Sequence, residues 1–496
     1  MGINNKVGQT GWISTPNAAS NNATLDAGSA VLVDGPPLGV SVMPVSASSS
    51  VSQPVSQMET QGGEIFRTLL SYLTTSIESF PDLRRGTNTQ YSIKNITLSA
   101  FAVFFCQSPS FLAQQQLMEQ MQGTNNGKTL FGIQKLPTDN QIRNLLDPVD
   151  PKLLRTAYRA TFEYLRKEGV VESFRSFGNT LLVAIDGTGY FHSESIHCDK
   201  CTVSQHRDGR TTYAHTALMA AVVKPGRAQV IALEPEFIVP QDGHEKQDCE
   251  REAAKRWIRE VAAYYSSLGI TLLGDGLFAT QSTIEIVVEE ELDYIFVVKP
   301  LNHKYLYEEL ESRQKLGEVR ELKRTQGTGR KRRHLVYRYI NAVPLKDGKH
   351  PVEVNWVEIT MSDDSGKVTF HTALVTSHLI TEHNVEALVE AGRCRWKIEN
   401  EDINTLKTKG YHFEHNFGHG KRYLSQALLS LNILAFLFHT VLELKDKRCA
   451  LLRTTLPRRD TFFQHIATLT QYLCFDSWQH LMLFMLTGLK LEDPYG

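Results

Sequence analysis

The sequence predicts an α/β fold: a mixed sheet flanked by helices, interrupted by a β-rich insertion and bounded by helical N- and C-terminal regions. Three observations carry this. The run Leu181-Leu182-Val183-Ala184-Ile185 ends in Asp186-Gly187, and Ile270-Thr271-Leu272-Leu273 leads into Gly274-Asp275-Gly276. Short continuous apolar runs of this kind read as strands covered on both faces. From Leu181 onward, strand-like and helix-like segments follow in the order β-β-β-α-β-α-β. Crossovers through helices make parallel neighbours, so the two runs can lie side by side with their carboxyl ends, and their aspartates, together. Residues from about 316 to 379 then break the alternation with strands alone.

A chain of 496 residues exceeds one ordinary core and implies roughly two to four folding units. Its 41% hydrophobic and 22% charged content suits a globular protein. The net charge of −1 gives no sign of a nucleic-acid partner, so local basic runs must carry that question. Seven cysteines, at 106, 198, 201, 249, 394, 449 and 474, are too scattered for a disulfide scaffold and suit a reducing cytoplasm. The N-terminus lacks the apolar core of a signal peptide, and Lys6 stands where myristoylation needs Ser or Thr. Leu424 to Leu444 is the most apolar stretch. Because it contains Ser425, Gln426, Ser430, Asn432 and His439, it reads as a buried helix and not as a membrane span.

Residues 1–62 are rich in Ser, Val, Ala, Asn, Gln and Gly and form an expected disordered low-complexity segment, unable to bury enough apolar area to offset ordering entropy. A helical N-terminal domain follows at 63–176. Ile65, Leu69, Leu70, Leu73 and Ile77 make an apolar face stopped by Pro81; a second helix is expected over Ala100–Met121. Thr138 with Gln141 has the form of a capping box. Asp150-Pro151 is an N-cap with proline at the first helical position, leading a helix to about Lys167. The core begins over 177–315. His215–Val223 and Gln229–Val239 are expected strands separated by Pro225-Gly226. A helix at Lys246–Ser267, the Asp275 strand, a helix at Thr280–Glu290 and a strand at Tyr294–Val298 come next. Gln241–Asp248 reads as a polar turn capping the helix after it, with Glu245 and Asp248 favourable there. The β-rich insertion spans 316–380, with strands at Leu335–Ala342, Glu353–Met361 and Lys367–Thr376. The core resumes at 381–425 as a helix from about Glu382 to Gly410, and 426–496 is a helical C-terminal region.

On that last core helix Val385, Val389, Gly392, Trp396, Ile403 and Leu406 form a seam at 3–4 spacing. Glu399 falls on it; Glu390 and Glu401 do not. A carboxylate facing a core is costly unless paired or bound to a metal. Its plain alternative is an internal pair with Arg395.

Asp186, Asp275 and Glu399, spaced by 89 and 124 residues, resemble the DDE triad of bacterial insertion-sequence transposases. The branch with a β-rich insertion between the second Asp and the Glu is the nearest in pattern. Arg395-Trp396-Lys397-Ile398-Glu399 is similar to its Arg-Trp-x-Ile-Glu signature, and Lys407 resembles its downstream lysine, one residue late. The signature's tyrosine, three residues before the arginine, is Gly392 here. The resemblance spans roughly 130–440. It implies an RNase H-like sheet, a cytoplasmic, nucleoid-associated DNA transposase, at least a dimer on DNA, and DNA contacts by Arg395 and Lys407. It also implies that Asp186, Asp275 and Glu399 hold Mg2+ or Mn2+, cut at element ends, and support strand transfer by the freed 3′-OH into target DNA. Mg2+ prefers hard oxygen ligands, and two such ions about 3.5–4 Å apart serve both attacking and leaving oxygens. An Asp-Gly after a single strand usually marks a turn; two of them plus the signature helix make the site reading. The rivals are an RNase H-like nuclease without strand transfer and an inactive, domesticated DNA-binding protein.

DNA contacts are expected from Lys323, Arg324, Arg330, Lys331, Arg332 and Arg333, clustered around a glycine-containing loop, where each neutralised phosphate releases counterions. A solvated loop is the plain alternative. Lys421, Arg422, Arg458 and Arg459 are weaker candidates, and the helical 63–176 domain is a candidate for DNA-end binding. Cys198-Asp199-Lys200-Cys201 has zinc-like spacing. A structural Zn2+ needs four ligands, and the other two are open among His197, His206, His215 and Cys249; ordinary reduced thiols are the alternative. His412, His415 and His419 read as a polar segment near DNA, since no cysteine or carboxylate set completes a site there.

Overall fold

A computed structural model describes residues 60–85, 89–120, 122–240, 246–329 and 332–496. The expected disordered segment, apart from its last residues, and the polar turn 241–245 lie outside these, as do Arg330 and Lys331.

Among the described residues, eleven strands form one sheet: β1 (Leu181–Ser193), β2 (Thr202–Gln205), β3 (Thr211–Val223), β4 (Ile231–Ala232), β5 (Glu236–Ile238), β6 (Ile270–Gly274), β7 (Asp293–Val298), β8 (Arg320–Gln326), β9 (Arg333–Pro344), β10 (Glu353–Asp363) and β11 (Val368–Thr376). Their order is β2-β3-β1-β6-β7-β11-β10-β9-β8, with β4 and β5 also paired to β3. β1, β6 and β7 are parallel, linked by helices Lys246–Trp257 and Gln281–Glu289; the other pairs are antiparallel. This is the expected mixed α/β sheet of RNase H-like type.

The β-rich segment is no separate layer. β11 adds antiparallel to β7, and β10, β9 and β8 continue the same sheet outward. Helix Lys304–Lys315, which precedes it, was not anticipated. The strand expected at Gln229–Val239 is split into β4 and β5, because Pro235 between them has no N–H to donate to the ladder.

The expected helix over Ala100–Met121 is two: Ile93–Phe105 and Phe111–Glu119. Pro109 forces the residue before it out of helical conformation, and Gln107 takes a left-handed φ of 54°. Ser110 then caps the second helix, accepting from Ala113 N–H. At Thr138 the full reciprocal capping box forms. Asp150 accepts from Lys152 N–H and opens a turn of 3-10 helix that runs into helix Arg155–Lys167.

The helical ends pack on each other and on the sheet. Phe66, Phe105, Phe131 and Trp478 form one aromatic cluster, and Phe101 meets Phe438 of helix Leu424–Lys445. That helix is long and apolar enough to cross a membrane, yet 89% of its apolar window is buried inside the protein. Some of its polar groups bond internally: Tyr158 Oη donates to the backbone carbonyl of Ser430, Asn432 Nδ2 donates to Tyr411 O, and His439 Nδ1 lies 2.6 Å from Tyr411 Oη. Ion pairs tie helix Arg155–Lys167 to the sheet edge, Arg159 with Glu234 at 3.0 Å and Arg155 with Glu236 at 3.1 Å. Glu234 is fully buried, so removing Arg159 would leave an uncompensated charge at a cost of about 3–5 kcal/mol.

Candidate active site

β1 and β6 pair with a constant offset, Leu181 opposite Ile270 through Ala184 opposite Leu273. That offset is the spacing between the two aspartates, so continuing the register sets Asp186 level with Asp275. β6 stops at Gly274, but β1 does not stop at Asp186. It continues to Ser193, paired with β3. Asp186-Gly187 is therefore strand, and the expected glycine turn is absent. Glycine serves close approach instead: a Cβ on Gly187 would run into the Glu250 carboxylate. Successive residues of a strand face opposite ways, so Glu250 lies on the far face of the sheet from Asp186.

Asp275 does turn the chain, accepting from Leu277 N–H at 2.8 Å. Thr280 then caps helix Gln281–Glu289. An open basin beside Asp275 is lined by Arg251, Lys299, Lys304 and Lys346. The three lysines are exposed. Sequence reading passed over them because they are isolated cations in the chain, gathered only where the ends of β6 and β7 meet.

The helix expected at 382–410 is not continuous. It runs from Val385 to Arg393, breaks at Cys394–Arg395, and passes through a π-helical turn, Ile398–Ile403, into Asn404–Thr408. This overturns the seam that singled out Glu399. Trp396 is 44% exposed and the Glu399 side chain 48% exposed, while Lys397 is buried and donates to Arg227 O at 2.6 Å. The break and the wide turn rotate the face away from 3.6-residue periodicity. The acid that does face the core is Asp402, whose carboxyl has no hydrogen-bond partner among the described residues and is pushed up to about 8 by burial.

Glu399 nevertheless reaches the aspartates. Arg395 Nη1 lies 2.6 Å from Glu399 and 3.9 Å from Asp186 Oδ2. The Asp186 carboxyl is pushed up to about 6, first by burial and then by the nearby charges of Glu399 and Asp275; Arg395 opposes the shift. Asp186, with the Glu399 and Asp275 carboxylates near it and one guanidinium beside it, offers hard oxygen donors of the kind a divalent cation takes. Gly392 has a packing reason: a Cβ there would lie 2.6 Å from Leu374 Cδ1 and 2.8 Å from Ile295 Cγ2. No tyrosine fits at this position, which faces the sheet.

The remaining basic residues are dispersed. Lys407 pairs with Glu414, Arg324 with Glu386 and Lys323 with Glu321. Arg332 and Arg333 are exposed at the β8–β9 hairpin, and β9 lies four strands and roughly 19 Å from β6 at normal strand spacing. Arg458 pairs with Asp460, and Arg459 is held by Glu443.

A second cluster forms at the β1–β3 hairpin: Cys198, Cys201, His215 and His419, with ligand atoms all within 4.8 Å of one another. Of the expected sources of further ligands, His215 is the one that joins among the described residues. His197 stacks on Tyr213 and His206 pairs with Thr212, while the Cys249 side chain lies outside the described residues. His419 was assigned to a polar segment; the set that completes it lies more than 200 residues away in sequence.

Residues 179–437, just over half the chain, match the family described as the transposase DDE domain. The chain belongs to that family: it is a DDE transposase of the insertion-sequence type, an enzyme whose partner is DNA. Comparison with curated proteins gave no match.

Proposed function

We propose that this transposase cuts at the ends of its element and joins the freed 3′-OH to target DNA, with Asp186, Asp275 and Glu399 holding Mg2+. The observation that carries this reading is the β1–β6 register, whose offset equals the spacing of the two aspartates, with Glu399 drawn to Asp186 through Arg395. Bound there, Mg2+ would polarise the scissile phosphate and activate the attacking oxygen. The chain's own part is placement. β1 and β6 hold two carboxylates on rigid backbone, and Lys397 anchors the third element to the turn at Arg227. Arg395 keeps the partly buried Asp186 more acidic than it would otherwise be. Lys299, Lys304 and Lys346 line the approach to Asp275 and suit a phosphate backbone. The working form is at least a dimer in the cytoplasm, since two ends must be handled together.

The test is incubation of the full chain with labelled element ends, Mg2+ and a target plasmid. Joined products are expected, and must disappear in Asp186→Asn, Asp275→Asn and Glu399→Gln. Cutting without joining would leave the nuclease reading, and binding without cutting the inactive one.

A further inference from the structure

We propose that Cys198, Cys201, His215 and His419 bind one structural Zn2+, which clamps the segment after the Glu399 element onto the β1–β3 hairpin. The four come from three places. Cys198 and Cys201 flank a turn between β1 and β2, His215 lies within β3, and His419 precedes helix Leu424–Lys445.

Four of the six donor separations are close to those around one tetrahedral ion, and all six lie within 4.8 Å. Zn–S of about 2.3 Å and Zn–N of about 2.0–2.1 Å put sulfurs roughly 3.8 Å apart, and sulfur and nitrogen roughly 3.6 Å apart, around a tetrahedral centre. Here Cys198 Sγ and Cys201 Sγ are 4.0 Å apart. His215 Nε2 lies 3.6 Å from Cys198 Sγ and 3.5 Å from Cys201 Sγ, and His419 Nε2 lies 3.5 Å from Cys201 Sγ. Two thiols and two imidazoles converging away from solvent would satisfy one another poorly as hydrogen-bonding groups, because a thiol is a weak donor. A shared ion satisfies all four.

The surroundings suit a closed site. Phe191 packs against both histidine rings, and Tyr190 stacks on His215. Lys200, inside the cysteine turn, sits 3.5 Å over the ring of Tyr423, a second link between the same two parts of the chain. Four protein ligands leave no open position, so the role is structural. It is independent of the cleavage chemistry: the ion holds the chain between Lys407 and Leu424, and through it the end of the Glu399 element.

Elemental analysis of the full chain, purified without chelators from zinc-supplied cells, should give about one Zn2+ per chain. Cys198→Ser and His419→Ala should lose it; His206→Ala and His412→Ala should keep it. Should the cysteine variant fail to fold, cobalt exchange into the wild-type protein decides: tetrahedral cobalt with thiolate ligands absorbs strongly in the visible range. Wild-type protein that holds no zinc and takes up no cobalt overturns the proposal. So does full zinc retention in His419→Ala. Neither readout depends on DNA cleavage.

Discussion

Asp186 and Cys198 stand on the same hairpin, twelve residues apart, and the sites they belong to are built in opposite ways. The carboxylate site is open. Glu399 is half exposed, Asp275 borders an open basin, and a single guanidinium, Arg395, lies among the acids. The cysteine–histidine site draws four protein donors within 4.8 Å of one another, His215 already 3.6 and 3.5 Å from the two sulfurs. A site that must admit DNA and let products leave cannot fill its coordination sphere with protein; a staple should. Variants in the first should therefore cost chemistry with little loss of stability, and variants in the second the reverse.

The largest effect expected is from Asp186→Asn, Asp275→Asn or Glu399→Gln. Each should cut the cleavage rate by about a thousandfold or more, as removal of a hard anionic ligand implies, while end binding, zinc content and melting temperature stay near wild type. Glu401→Gln should retain activity. An active Glu399→Gln beside a dead Glu401→Gln would move the third ligand.

Replacing Lys299, Lys304 and Lys346 together by Ala should weaken DNA binding and flatten the dependence of log K on log salt by about one unit per lost phosphate contact. Arg332→Ala with Arg333→Ala, at the far edge of the sheet, should change the slope by less. Equal slopes for the two sets would remove the basin from the DNA path.

A smaller effect is expected in the pH profile. Asp186 must be ionised to bind a cation, and its carboxyl titrates at about 6, so cleavage at limiting Mg2+ should rise with pH through that value. Burial, Glu399 and Asp275 raise it; Arg395 lowers it. Arg395→Gln should therefore move the acid limb to higher pH. An unmoved limb would mean that another group governs it.

The smallest concerns stability. Asp402 is raised by burial to about 8 from an ordinary value of 3.8, so between those values the folded state holds a proton that the unfolded chain has released. Stability contributed by that proton is full below the lower value and is lost as pH climbs through the higher one. Asp402→Asn should raise the melting temperature by a few degrees at pH 9, where the whole cost of the buried charge falls on the folded state, and by clearly less at pH 5. The same gain at both pH values would exclude titration as its cause.

Local signals in the chain were sufficient for the strands at Leu181 and Ile270, the Thr138 capping box, the Asp150-Pro151 helix start and the pairing of Asp186 with Asp275. Each depends on residues close in sequence or on the parallel crossover rule. The Arg-Trp-x-Ile-Glu run pointed to Glu399 by resemblance; periodicity separately placed that residue on the core, where a break with a π-turn put Asp402 instead. A π-turn adds a residue to one loop of helix and leaves no mark in the apolar spacing. Likewise, nothing near Asp186 tells that β1 continues past it, because that depends on its antiparallel pairing with β3 as far as Ser193. His419 belongs with Cys201 only because sheet order and the packing of helix Leu424–Lys445 bring together residues 218 positions apart. The sequence by itself determined which segments are strand or helix and where the acids fall along them. Which faces and partners those acids, cysteines and histidines meet was decided by tertiary structure, since long-range contacts follow from how strands order and helices pack, not from any residue's neighbours in the chain.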